Sequence, residues 1–158
     1  MSTLEVKGIQ APAGFDLDMP AGHIVQVVYA NTSTEIATSS SSWVASSLAA
    51  TITPKFASSK ILVRYDALMY HYINTQGAST IYRGSTEVTG ETLGITRSWN
   101  SNSRGFFPHN GAWLDSPNTT SATTYTIYVR KNNGDYDINF PTSAADTKPS
   151  ITLMEVAQ

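Results

Sequence analysis

The sequence predicts an all-β protein, an antiparallel sandwich preceded by an extended N-terminal arm. Apolar residues recur with a period of two along much of the chain, and no sustained helical periodicity appears. Clusters of Ser, Gly, Asn and Pro separate these runs, as is typical of turns. The 19 Ser and 20 Thr make up about a quarter of the 158 residues, and Thr favours half-buried strands. About eight short strands in this pattern indicate a sandwich or barrel, and we prefer the jelly roll.

The amino-acid composition argues against several classes of function. A chain of 158 residues with 41% hydrophobic residues suits a single domain. The net charge of -2 and the absence of clustered Lys and Arg argue against nucleic-acid binding. Without Cys there is no disulfide and no thiolate metal ligand. No leader pattern and no membrane-length apolar run occurs, so we expect synthesis in a cytoplasm and no membrane insertion.

Glycine and proline bound the first predicted strands. The first strand, residues 23–29, follows the turn residue Gly22. In residues 48–53 every second residue is apolar, and Pro54 ends the strand because proline cannot donate a hydrogen bond to a neighbouring strand.

The longest alternating run covers residues 60–73. One side of this strand is expected to face the core and carries Ile61, Val63, Tyr65, Ala67 and Met69. Leu62 and Leu68 lie on the opposite side, which gives the strand apolar residues on both faces.

The second half of the chain predicts shorter strands at 79–82, 123–131, 136–140 and 151–156. Asn132 to Asp135 is a hairpin signal, because Asn and Gly tolerate the positive φ of tight turns. Alternation lapses between Glu91 and Gly111, which predicts a long loop that binds a ligand or packs on a neighbour.

This segment and its flank supply the candidate contact residues, which are Trp99, Arg104, Phe106, Phe107, His109 and Trp113. Aromatic rings stack on sugar surfaces, so one interpretation is a contact with cell-surface glycan. Subunit interfaces are enriched in the same residue types, so packing between subunits is the other. His71, between Tyr70 and Tyr72, allows the same two interpretations.

Apolar residues on outward-facing strand positions predict a homo-oligomer. They are Leu62, Leu68, Met154 and Val156. A sheet that is apolar on both faces needs a second partner surface. The alternative is that loops of the same chain cover these side chains.

Residues 1–22 predict an extended arm ahead of a domain at residues 23–158. The arm carries six apolar residues, Leu4, Val6, Ile9, Phe15, Leu17 and Met19, while its Pro and Gly residues disfavour a helix. Such an arm is stable only against another surface, for instance as an added strand. It docks the domain on a partner, or it covers an edge of its own sandwich.

No group of residues predicts catalysis. The three His residues are scattered, and no zinc-ligand spacing, nucleophile elbow or phosphate loop occurs. We therefore expect no enzyme activity, no catalytic residues, no metal and no cofactor.

Five segments carry a resemblance to a known family. They are MPAGHIVQVVYA (19–30), SSLAATITPKFASSKILV (46–63), IYRGSTEV (81–88), WLDSPNTTSATTYTIYV (113–129) and SITLMEVAQ (150–158). Together, and in this order, they resemble a module of tail-fibre and other virion-surface proteins of tailed bacteriophages, especially marine ones.

The resemblance implies a trimeric jelly roll similar to complement globular heads and tumour necrosis factor, with the C-terminal strand near the threefold axis. It also implies a place on the virion surface and contacts with other virion proteins. Because the chain lacks a long shaft, a knob or a capsid or tail decoration is expected as readily as a fibre tip. Fold alone does not define the ligand.

Overall fold

The computed structural model describes residues 20–100, 102–142 and 148–158, and this part of the chain contains strands and no helix. The strands are β1 (Ile24–Asn31), β2 (Ile36–Thr38), β3 (Val44–Ile52), β4 (Lys60–His71), β5 (Thr75–Arg83), β6 (Thr86–Glu87), β7 (Thr96–Asn100), β8 (Gly105–Asp115), β9 (Thr123–Asn133), β10 (Ile138–Phe140) and β11 (Ser150–Val156). The predicted all-β class is confirmed.

The first sheet is built around β4 and is called the β4 sheet. β8 pairs with β4 from Ile61 to His71. On the other side, β11 pairs with residues 60–66 of β4 and β10 pairs with residues 70–71. β1 extends the sheet beyond β11, and β2 extends it beyond β10.

The second sheet is called the β5 sheet and has the order β3-β9-β5, with β6 and β7 both pairing with the remaining edge of β5. Every pairing in both sheets is antiparallel. The two sheets pack face to face, which confirms the predicted antiparallel sandwich.

The core lies between the two sheets and follows the predicted alternation. All five inward residues predicted for the longest strand are buried in β4. They pack in one cluster with Leu48 and Ile52 of β3, Ile127 of β9 and Leu153 of β11. A period of two places every second side chain on the inner face, so the sequence alone identifies this core.

The predicted loop between Glu91 and Gly111 is wrong, because this segment contains β7 and most of β8. The alternation is hidden because two inward positions of β8 carry His109 and Gly111 instead of aliphatic residues. A Cβ on Gly111 would lie 2.6 Å from Cε1 of Tyr65. Glycine is therefore the residue that lets β8 approach the Tyr65 ring.

The predicted hairpin at Asn132 to Asp135 is also wrong. β9 belongs to the β5 sheet and β10 to the β4 sheet, so the turn carries the chain from one sheet to the other. The register of β9 against β5 shifts near Asn132, and Gly134 has a φ of +106°. Asn-Gly favours a tight turn with positive φ, but the partner of the next strand is decided by tertiary packing.

One ion pair joins β5 of one sheet to β8 of the other. Nη1 of Arg83 lies 2.6 Å from Oδ2 of Asp115, and the Tyr125 hydroxyl donates to the same oxygen at 2.7 Å. Burial and the bond to Asp115 raise the pKa of Tyr125 well above its usual value, so it stays a donor.

Replacing Arg83 with Met should lower the free energy of unfolding by about 2 kcal/mol, because the buried Asp115 carboxylate loses its counter-ion. Urea denaturation followed by tryptophan fluorescence measures the change. The matched control is Arg64→Met, since Arg64 pairs with Asp66 in solvent and its removal should change stability little. Equal effects of the two substitutions would contradict the prediction.

A buried carboxylate links β11 to the loop before β4. The sequence did not predict this contact. Glu155 accepts hydrogen bonds from the backbone N–H groups of Lys55 at 2.8 Å and Phe56 at 3.1 Å. The Gln26 side chain donates to it at 2.6 Å. Burial raises the pKa of Glu155, but these donors outweigh burial and hold the pKa below its usual value.

The described chain begins beside its own C-terminus. The backbone N–H of Gly22 donates to the carbonyl of Ala157, and the N–H of Ala157 donates to the carbonyl of His23, both at 2.9 Å. The six apolar arm residues predicted between Leu4 and Met19 lie outside the described residues.

Candidate interaction surface

An apolar row crosses the outer face of the β4 sheet. Antiparallel register places Leu114 of β8 beside Leu62 of β4, Leu62 beside Met154 of β11, and Met154 beside Val27 of β1. All four side chains point away from the core by alternation. Four strands thus present one continuous line of aliphatic side chains, which we call the apolar row.

Further apolar residues widen the row into a patch. Val156 lies beside Ile24 in the next register position, and Tyr29 lies beside Thr152 on the other side. The side chains are well exposed, with relative accessibilities of 54% for Ile24, 55% for Val27, 59% for Tyr29 and 47% for Leu114. Contiguous exposed apolar surface of this kind marks interaction sites in soluble proteins.

Charged residues lie next to the apolar row on both sides. Arg64 and Asp66 lie on the same face of β4, with Nε of Arg64 3.2 Å from Oδ2 of Asp66, and this exposed pair carries no net charge. On the other side, Lys60 lies on the same face of β4, opposite Val156. A surface that approaches the row therefore meets aliphatic groups, a neutral ion pair and one cation.

Three of the four predicted interface residues, Leu62, Met154 and Val156, lie in this patch. The fourth, Leu68, lies further along β4 beside Pro108, where it lines a cavity of about 330 Å³ with Asp66 and Lys148. The sequence pattern did not predict the other exposed residues of the patch, which are Ile24, Val27, Tyr29 and Leu114. The apolar residues on both faces of β1 indicate that its outer face is also covered. The sequence alone does not show which strands lie beside β1.

A second exposed group, the aromatic cluster, lies at the far end of the β4 sheet. The ring centroid of Tyr70 is 5.1 Å from that of Phe106 and 5.2 Å from that of Tyr72. Tyr72 also lies 5.4 Å from Tyr136, and the Arg104 guanidinium sits 5.0 Å from the Tyr72 ring centroid. Stacked aromatics with one cation form a rigid, amphipathic surface.

The predicted aromatic contact residues do not form one site. Trp99 is 66% exposed and lies on the outer face of the β5 sheet, whereas Phe106 and Arg104 belong to the aromatic cluster. Phe107 and Trp113 are half-buried on the inner face of β8. His109 is completely buried, so its predicted role as a surface contact is wrong; alternation points it between the sheets.

His71 is buried as well, on the opposite face of β4 from Tyr70. The predicted platform of Tyr70, His71 and Tyr72 therefore retains only its two tyrosines. Their rings pack edge to face.

A polar network joins the two buried histidines across the sandwich. Nε2 of His71 and Nε2 of His109 each lie 2.6 Å from the Ser98 hydroxyl. On its other side, Nδ1 of His109 lies 2.8 Å from the Ser79 hydroxyl, which contacts the Tyr65 hydroxyl at 2.8 Å. Hydroxyls of the β5 sheet thus contact both ring nitrogens of His109 but only Nε2 of His71.

Burial keeps both imidazoles neutral. It lowers the pKa of His71 to about 4, against a smaller opposing effect of the Thr75 backbone. It lowers the pKa of His109 to about 3, with a further contribution from the neighbouring His71. Neutral imidazoles can each donate one hydrogen bond and accept another, which suits a chain of hydroxyl partners.

In the part of the chain that the structure describes, no group of three or more His, Asp or Glu residues could hold a metal ion. No helix within the same residues is long and apolar enough to cross a membrane.

No protein-family model matches the chain, and no curated protein matches it significantly.

Proposed function

We propose that this protein is a non-enzymatic structural component of a bacteriophage virion, a jelly-roll module that forms a homo-oligomer through the outer face of its β4 sheet. The apolar row is the observation that carries the proposal. Burying aliphatic surface gains about 25 cal/mol per Å², so covering a patch that spans four strands stabilises a contact between subunits.

A second copy of the same chain is the best occupant for this face. The row itself is uncharged, and Arg64 and Asp66 beside it pair with each other. Lys60 also borders the patch, opposite Val156, and its long side chain can keep the ammonium group in solvent while the aliphatic surface is buried. Copies of the chain can therefore bury their rows against each other in a symmetric assembly. The jelly-roll resemblance favours a trimer with β11 near its axis, and Met154 and Val156 of β11 lie within the patch.

The virion context is supported by the five segments that resemble phage tail-fibre and virion-surface proteins. They fall mainly on strands, among them β1, β3, β4, β9 and β11. These segments bear on architecture, so the proposed roles are a fibre tip, a knob or a capsid or tail decoration on the virion surface.

We further propose that residues 1–22 anchor the module on other virion proteins. Among the described residues β1 pairs only with β11, so its second edge is available for strand addition. Residues 20–22 lead into β1 beside Ala157.

The oligomer is tested by adding charge to the apolar row. Full-length protein should elute as a trimer in size-exclusion chromatography with light scattering. The double variant Val27→Lys/Met154→Lys should be monomeric, because ammonium groups cannot be desolvated in an apolar contact. Its circular dichroism should remain that of the parent, since both positions face outward.

Leu93→Lys is the matched control, because Leu93 is 49% exposed and lies by the β5 sheet instead. It should remain trimeric. A parent protein that is monomeric at micromolar concentration would refute the proposed assembly.

Host-surface glycan binding is the second candidate function. The aromatic cluster and Trp99 favour it, because exposed rings with neighbouring cations are suited to stacking on sugars. An oligomeric knob that also contacts a host would combine both roles.

A further inference from the structure

A basic pocket lies on the other side of the molecule, at the β5 sheet. This cavity of about 360 Å³ is lined by Ser41, Gln76, Leu93, Arg97, Arg130, Lys131 and Asn132. Three of these residues are basic and none is acidic, although the whole chain has a net charge of -2. The pocket therefore concentrates positive charge on an otherwise slightly acidic protein.

Strand register places two arginines of the pocket at the same level of the β5 sheet. Arg97 of β7 and Arg130 of β9 both lie opposite Ala78 of the intervening strand β5. With neighbouring strands about 4.8 Å apart, their backbones are separated by about 10 Å. Both arginine side chains lie on the outer face of the sheet, on either side of Ala78, which is itself completely buried.

The Arg130 side chain is held in place before any ligand binds. Its guanidinium lies 4.4 Å from the ring centroid of Trp43, and Nη2 donates to the carbonyl of Thr92 at 2.8 Å. Fixing a cation in advance lowers the entropy cost of binding an anion.

Among the described residues, no carboxylate lies within ion-pair distance of the basic side chains of the pocket. In the described ranges, the ion pairs are Arg64 with Asp66 and Arg83 with Asp115. Arg97, Arg130 and Lys131 belong to neither. An anionic group is the complement that these three cations lack.

The surroundings of the pocket indicate a sugar rather than a bare anion. Trp99 lies two residues beyond Arg97 on the same face of β7, directly opposite the pocket residue Gln76. Its exposed indole offers a stacking surface for a pyranose ring. Gln76, Asn132 and Ser41 provide neutral hydrogen-bonding groups for hydroxyls.

We propose that the basic pocket and Trp99 bind an acidic saccharide, one sugar unit carrying a carboxylate or sulfate group in a host-surface polysaccharide. The guanidinium of Arg97 pairs with the anionic group, and the ring stacks on Trp99. The volume is at the lower end of that of small-ligand sites. The inference rests on the second candidate function, and the pocket lies on the opposite sheet from the apolar row, so it stays open in the proposed oligomer.

Calorimetric titration of the full-length protein tests the site. The probes are sodium glucuronate and glucose 6-sulfate, with glucose and inorganic sulfate as the neutral and sugar-free comparisons. We expect at least one acidic sugar to bind more tightly than both comparisons and to change the Trp99 fluorescence. Arg97→Gln should weaken this binding about tenfold, as the loss of a charge-assisted hydrogen bond implies.

Arg64→Gln is the control, since it removes the same charge from the opposite sheet. Equal weakening by Arg64→Gln and Arg97→Gln, sulfate binding as tight as that of the sugars, or no preference over glucose would each overturn the site. Light scattering on the same samples separates the two proposals. If the protein is a trimer but does not bind acidic sugars, only the proposed pocket is refuted. If it is a monomer and binds them, only the proposed assembly is refuted.

Discussion

Lowering the pH from 7.5 to 5.5 is expected to reduce the free energy of unfolding by about 3 kcal/mol. His71 and His109 are buried, and their pKa values lie at about 4 and about 3 instead of 6.5. Below pH 6.5 the unfolded chain takes up protons on both residues, while the folded protein does not. The unfolded state therefore gains about 1.4 kcal/mol per imidazole at pH 5.5.

The direction of this effect follows from the lowered pKa values. The stability contribution is complete above pH 6.5 and is lost as the pH falls towards the folded-state values. Glu87 and Glu155 also have pKa values below their usual 4.5. Their contributions are lost only at more acidic pH, so the window from 7.5 to 5.5 isolates the histidines.

Urea denaturation across this window measures the effect at fixed protein concentration. His71→Gln should keep a hydrogen bond to Ser98 while removing about half of the pH dependence. His109→Gln should remove a similar share. If the pH dependence of both variants equals that of the parent, the assignment to these two residues is wrong.

Replacing Gly134 with Ala is expected to lower the free energy of unfolding by about 4 kcal/mol. Gly134 has a φ of +106°, which L residues rarely adopt. A Cβ there would also lie 2.6 Å from the Cα of Thr75 and overlap the carbonyl of Asn74. These are backbone atoms of the turn between β4 and β5, so no side-chain rotation relieves the contact.

Gly84→Ala separates the two causes. Gly84 also has a positive φ, +56°, but no atom of the described chain lies within 4 Å of the Cβ position. This variant should lose only about 1 kcal/mol, the cost of the left-handed conformation. Thermal and urea denaturation of both variants test the difference. Similar losses would show that contact with the 74–75 turn is unimportant.

The sequence predicts the strands whose inner residues are aliphatic. β4 is the clearest case, since Ile61, Val63 and Tyr65 alternate without interruption. β8 is not predicted, because its inner face carries His109 and Gly111, whose burial depends on partners in distant strands. The turn at Gly134 is recognisable, but the separation of β9 and β10 into different sheets is a property of the packed core.

The candidate surface could be predicted only in part. The alternation of apolar residues in the sequence shows that the side chains of Leu62 and Met154 point outward. Their contact with each other and with Val27 depends on antiparallel register between strands far apart in the chain. The basic pocket has the same origin, because Arg97 and Arg130 meet only through β5.

The position of β11 between β1 and β4 has a consequence for biosynthesis. β11 is the last of the described strands in chain order, yet it is an interior strand of its sheet, and Glu155 within it also contacts the loop before β4. Until β11 has been synthesised, β1 and the β11-pairing edge of β4 are unpaired edges that can pair with a strand of another nascent chain. A protein from which Ser150–Val156 is deleted should therefore aggregate.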